Sequence, residues 1–211
     1  MKGLLTKDFA LFFQRKRTFI FLALWAVVMS FTVSGSFAIG WMTIIASFFA
    51  ISSLSYDEYD NCYPMLMSLP IDGKTYAIEK YLFAFLSGFG AWLFSCAVNI
   101  IALAVKGELT DPGTDLIQMA IFIPVFMILI DISLPLNMKF GSERGRIAIL
   151  IIWGVIFVGL FLVSKLPGLE ISIDESLING PAVIGIAYIA AIILTVISMF
   201  ISIKVMSNKE Y

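Results

Sequence analysis

The residue best placed by type and position to do chemistry is Asp131, the one acid deep inside a long apolar run. An unpaired carboxylate is costly in a bilayer interior, so it must face other helices, water or a partner. Two readings are open. Asp131 is a substrate or proton site on a translocation path, or a structural carboxylate near a helix broken by Pro124 and Pro135. Asn99, in the preceding apolar run, is a polar candidate of the same kind. Gly73-Lys74-Thr75 ends like a phosphate-binding loop, but that pattern requires a glycine five positions earlier, where Ser68 stands. No strand precedes it, and Pro70-Ile71-Asp72-Gly73 reads as a turn before a helix. The chain has no histidine, which removes the commonest metal ligand and the usual base at neutral pH. Cys62 and Cys96 lie far apart with no ligand-like spacing. No pattern of a protease or a lipid-headgroup transferase occurs. The expectation is a protein that is not an enzyme and has no metal or catalytic site.

These polar residues sit in a chain of 211 residues that is 60% hydrophobic, with a mean hydropathy of +0.98. That excess of apolar surface places it among polytopic membrane proteins. Backbone groups in lipid must be satisfied internally, and the apolar runs are continuous rather than alternating, so the fold class is all-α and a β-barrel is excluded. A crossing takes about 20 residues. Residues 18–56 carry no charge and hold two crossings hinged near Ser34-Gly35-Ser36; further runs cover residues 81–105, 116–137, 147–164 and 181–203. The expectation is six transmembrane helices in one domain, residues 1–211.

Residues 1–17 are charged but patterned. Leu5, Phe9, Phe12 and Phe13 share one side of a helical wheel and Thr6, Lys7, Gln14 and Arg17 the other, with Asp8 and Arg15 blurring the boundary. This reads as an amphipathic helix in the membrane interface, against the alternative of a short tail flanking the first span. Charges continue through Arg15-Lys16-Arg17 with no small-residue cleavage site, unlike a signal peptide.

Twelve of the fourteen Lys and Arg residues fall in 1–17, 57–80, 138–146 and 204–211. That asymmetry puts both termini and the 57–80 break in the cytoplasm. There is no basic patch with interleaved aromatics, so nucleic acid is not an expected partner. The 57–80 break carries Asp57, Glu58, Asp60, Asp72 and Glu79, yet its centre, Tyr63-Pro64-Met65-Leu66-Met67-Ser68-Leu69-Pro70, is apolar. A solvated loop needs no such centre; a segment that docks on another protein does.

Three stretches resemble, in order, the small permease subunits of bacterial ATP-binding-cassette exporters of the ABC-2 type. Met1-Lys2-Gly3-Leu4-Leu5-Thr6-Lys7-Asp8 is similar to that family's elbow helix. Tyr56-Asp57-Glu58, Leu69-Pro70-Ile71 and Glu79-Lys80-Tyr81 resemble its run after the second span, and Pro135-Leu136 with residues 139–146 its second cytoplasmic loop. The resemblance implies a cytoplasmic coupling segment at 57–80 that contacts the ATPase through Asp57, Glu58, Tyr59, Asp60, Tyr63, Met65, Leu66 and Leu69. It implies two copies of an ABC ATPase subunit carrying ATP and Mg, so no cofactor in this chain, and a second permease copy or homologue in a bacterial cell membrane. The layout looks closest to permeases that export phenol-soluble modulins, which implies a hydrophobic or amphipathic peptide substrate. The competing classes are an ion-coupled secondary transporter using Asp131 and a non-transporting immunity or scaffold subunit.

Overall fold

The computed structural model describes residues 1–33, 35–58, 72–107, 112–164 and 181–208, and every regular element among them is a helix. They are α1 (Lys2–Gln14), α2 (Lys16–Thr32), α3 (Gly35–Glu58), α4 (Gly73–Lys106), α5 (Pro112–Ala120), α6 (Phe122–Phe140), α7 (Ser142–Ser164) and α8 (Pro181–Ser207). Among the described residues, four stretches are long and apolar enough to cross a membrane: Gly35–Glu58, Gly73–Lys106, Leu116–Phe140 (α5 and α6 together) and Val183–Ser207. The remaining apolar runs are α2, of 17 residues, and α7, of 23.

Helix α3 packs along α4, and α8 along α6, with α3 also touching α6. The main core gathers Leu54, Tyr76, Phe83, Phe126, Leu134 and Met206 from four helices, and α1 closes it through Leu4 with Leu5, Phe9 and Phe12. Gly88 lies under the Phe126 ring, where a Cβ would collide with it, so the α6 ring packs directly on the α4 backbone. The residue that blurred the α1 pattern, Asp8, lies one turn from Leu4 on the inward face and is fully buried. Phe13, read as part of the apolar face, is 68% exposed, and its ring lies against Phe9 and Phe12.

Helix α4 has 34 residues. At 1.5 Å per residue it is about 50 Å long, well beyond a ~30 Å hydrocarbon core. It starts at Gly73, where the sequence reading put a turn before a helix, two turns ahead of the uncharged run, so Tyr76, Glu79 and Lys80 lie on it.

The prolines between 116 and 140 have a specific structural consequence. Proline lacks the N–H that would bond the carbonyl four residues earlier. For Pro124 that carbonyl is Ala120 O, and it accepts instead from the Tyr188 hydroxyl at 2.8 Å. For Pro135 it is Asp131 O, which accepts from Ser198 Oγ at 2.5 Å. Both donors come from α8. At the break between α5 and α6, Met119 O also accepts from Trp92 Nε1 on α4, at 2.9 Å. The chain is thus kinked without leaving these buried carbonyls unpaired, which lipid would not satisfy.

Ser198→Ala leaves Asp131 O without a donor and should cost about 1–3 kcal/mol. In a Pro135→Ala background, residue 135 regains an N–H that can reach the same carbonyl, so the Ser198→Ala penalty should shrink. Melting temperatures of the four proteins of this double-mutant cycle in detergent measure the coupling; strictly additive shifts would show that Ser198 does not serve the proline gap.

Candidate functional site

Two helical pairs with a spacing of four residues build the site. Ser53 and Asp57 stack on one face near the end of α3, and Tyr76 and Lys80 on one face near the start of α4. Asp8 of α1 joins them from a third helix. The three meet at the end of the bundle where α3 finishes and α4 begins.

Lys80 is the centre. Its side chain is 1% exposed. An ammonium has three donors, and here three acceptors surround it: Asp8 Oδ2 at 2.5 Å, Asp57 Oδ2 at 2.7 Å and Ser53 Oγ at 3.0 Å. The other Asp57 oxygen is held by Lys7 Nζ, and the Tyr76 hydroxyl donates to Asp57 Oδ2 at 2.9 Å. Ser53 Oγ in turn donates to Asp8 Oδ2 at 3.2 Å. Lys7, a third exposed, also lies 3.5 Å from Asp8 Oδ1. Glu79, fully buried on α4, adds a third carboxylate to the two ammoniums; its two oxygens and Asp8 Oδ1 have no hydrogen-bond partner. The arrangement ties three helices by charge, with Lys80 and the carboxylates buried and Lys7 at its exposed edge. It has no open coordination pocket, and among the described residues no group of His, Cys, Asp and Glu could hold a metal.

Glu58, next in the chain, points elsewhere, because successive residues on an α-helix diverge by about 100°. Its Oε2 accepts from both the backbone N–H and the hydroxyl of Ser142, the first residue of α7. A carboxylate at a helix N-terminus satisfies an orphan N–H and complements the helix dipole. Gly141 makes the turn between α6 and α7 with φ +79, and any side chain there would strike the Glu58 carboxylate.

Asp57 and Glu58, expected to reach an ATPase, therefore face this chain's own helices, with Asp57 only 3% exposed. Tyr59, Asp60, Tyr63, Met65, Leu66 and Leu69 lie outside the described residues. Asp131 is buried against α8, with Oδ2 accepting from Thr195 Oγ1 at 2.7 Å and Oδ1 unpartnered. The hydroxyl network of Tyr81, Ser198 and Ser202 lies alongside and links α4 to α8. Asn99 is buried with its amide pressed on Gly35, at the start of α3. The structure thus assigns Asp131 and Asn99 contacts with different helices, α8 and α3. An apolar groove of about 660 Å³ between α3, α6 and α7 is lined by Phe48, Leu129, Leu150 and Trp153, with Arg146 on its rim.

Sequence reasoning missed Asp8, Lys80, Ser53 and Tyr76 as one constellation. A signal was present: Asp8 is an acid that interrupts an otherwise apolar helix face, and such an acid needs a buried base.

Comparison with known families supplies one match. The family model described as ABC-2 family transporter protein covers residues 3–207. No curated protein matches the chain.

Removing one partner of a buried ion pair strands the other charge and costs about 3–5 kcal/mol, whereas removing both relieves much of it. Lys80→Met should therefore sharply lower the melting temperature in detergent, and Asp8→Asn/Lys80→Met should recover part of the loss, leaving Asp57 to Lys7 and Tyr76. A double variant as unstable as Lys80→Met alone would show that the pair carries no such coupling.

Proposed function

Because the chain belongs to the ABC-2 family of transporters, whose model spans residues 3–207, we propose that it is the permease subunit of an ATP-driven exporter working with separate ATPase subunits. Membership makes it a membrane transport protein. The ATPase partnership, the direction and the substrate are the proposal. Six helices cross the membrane, α2 and α7 joining the four long apolar stretches. The end holding α1, Glu58, Lys139 and Lys204 is cytoplasmic, so both termini are inside, as the Lys and Arg distribution supports. Helix α1 lies along the cytoplasmic interface, its inward face on the core.

The observation that carries the reading is the pair of helix ends that the apolar-centred stretch 59–71 connects along the chain. They are the end of α3 and the start of α4, which the buried ion cluster holds together. A segment tethered at both ends to a rigid joint suits a partner that must move the bundle. Tyr59, Asp60, Tyr63, Met65, Leu66 and Leu69 form its contact with the ATPase, two copies of which carry ATP and Mg. A second permease copy completes the pathway in a bacterial cell membrane, and the substrate is an apolar or amphipathic peptide, in keeping with the apolar groove beside Trp153. Ion-coupled transport through Asp131 is the weaker reading, because Asp131 is packed against hydroxyls of α8 rather than lining an open path.

A tagged chain purified in mild detergent from its native cell should retain an ABC ATPase. Tyr63→Ala, Leu66→Ala and Leu69→Ala should each weaken that association by more than about 1 kcal/mol if these are its anchors. Quantitative co-purification measures it; undiminished ATPase recovery in the triple variant would refute the docking assignment.

A further inference from the structure

We propose that Asp57 and Glu58 are positioning residues that split the motion of the segment after them, Asp57 passing it to α1 and α4 and Glu58 to α7. This rests on the reading of segment 59–71 as the ATPase contact. Both acids were candidates for touching the ATPase, and their geometry assigns them another task. Asp57 is buried and bound to Lys80, Lys7 and the Tyr76 hydroxyl. Through Lys80 the tie reaches Asp8 and therefore α1, at 2.5 Å. Glu58 holds the first N–H and hydroxyl of α7 and closes over Gly141.

Two consecutive residues on one helix end thus grip three other elements. They are the last residues of α3 before the segment begins at 59. A displacement of that segment enters the bundle through the end of α3 and the start of α4, and the α3 route runs through these two residues. Charge-assisted hydrogen bonds suit this role, because they are short and strong and hold direction as well as distance. Small displacements carried into packed helices become shifts between discrete arrangements rather than smooth deformation. The branch is also asymmetric. The Asp57 arm is a buried ion pair with Lys80 backed by Lys7 at the edge, while the Glu58 arm is half-buried at a turn, so α1 and α4 move as one body with the end of α3, and α7 follows through the Glu58 carboxylate.

The test uses the complex of the full chain with the ABC ATPase that co-purifies with it. Spin labels at two exposed positions, Phe13 on α1 and Ile147 on α7, report the distance between the two arms with and without ATP plus vanadate. The wild-type complex should show an ATP-dependent change in that distance. Asp57→Asn and Glu58→Gln should bind the ATPase with unchanged affinity yet shrink the ATP-driven change, with the coupling between nucleotide and helix arrangement falling by about 2- to 30-fold. Lys7→Gln perturbs the Asp57 arm from its exposed edge and covers the event that Asp57→Asn fails to fold; Lys7→Arg, which keeps the charge, should behave as wild type. Reduced ATPase affinity in Asp57→Asn or Glu58→Gln would return these acids to the docking surface and overturn the proposal. An undiminished distance change in both would also overturn it. Failure of the wild-type chain to hold any ATPase would instead sink the parent reading, and this inference with it.

Discussion

A lysine ammonium removed from water must find an acceptor for each of its three N–H bonds, and the structure turns on how Lys80 finds them. Asp8, Asp57 and Ser53 supply them from two other helices. Desolvating such groups costs several kcal/mol per ion, recovered only if the geometry is nearly complete. That requirement fixes α1 against the bundle, because no other position of the N-terminal helix delivers Asp8 to Lys80. It also fixes the end of α3 against the start of α4. The apolar contacts of Leu4, Leu5, Phe9 and Phe12 then follow the same docking, so charge and hydrophobic burial specify one arrangement.

The opposite half of the molecule is governed by the backbone. Between 116 and 140 the chain carries two prolines, and each removes a hydrogen bond that lipid cannot replace. Helix α8 provides the missing donors through Tyr188 and Ser198, and binds Asp131 through Thr195. This explains why an almost wholly apolar helix keeps hydroxyl-bearing residues on one side, and why α6 and α8 pack so closely. Asp131 belongs to this scheme: its main-chain oxygen fills one proline gap and its side chain meets the adjacent hydroxyl.

The two schemes divide the labour of the bundle. The proline-and-hydroxyl contacts bind α5 and α6 to α8 and reach the charged end through Tyr81, which follows Lys80 and meets Ser198. The ionic contacts collect at the end from which the segment 59–71 departs, together with Glu58 on the first turn of α7. In the proposed ATP-driven permease, motion is received at one membrane face and expressed within the bilayer. Rigid joints at the receiving face, with apolar and softer contacts beyond, suit that order.

Composition and periodicity alone determined the class, the helical fold and the positions of the apolar runs, because an apolar run in lipid has no alternative to the helix. They also marked the prolines and Asp131 as linked. They placed the start of α4 after the Gly73 turn but did not reveal that the helix buries its charges: only the pairing of Lys80 with Asp8, 72 positions away, lets it do so. Nor could the wheel of α1 decide whether Asp8 was an irregularity or the point of the helix, since a charge on an apolar face is acceptable only when its counter-ion is in place. The direction of Asp57 and Glu58 was decided in the same way. Their types suggested solvent and a partner protein, and tertiary contacts with Lys7, Lys80 and Ser142 turned them inward, because ion pairing depends on distance in space and not along the chain.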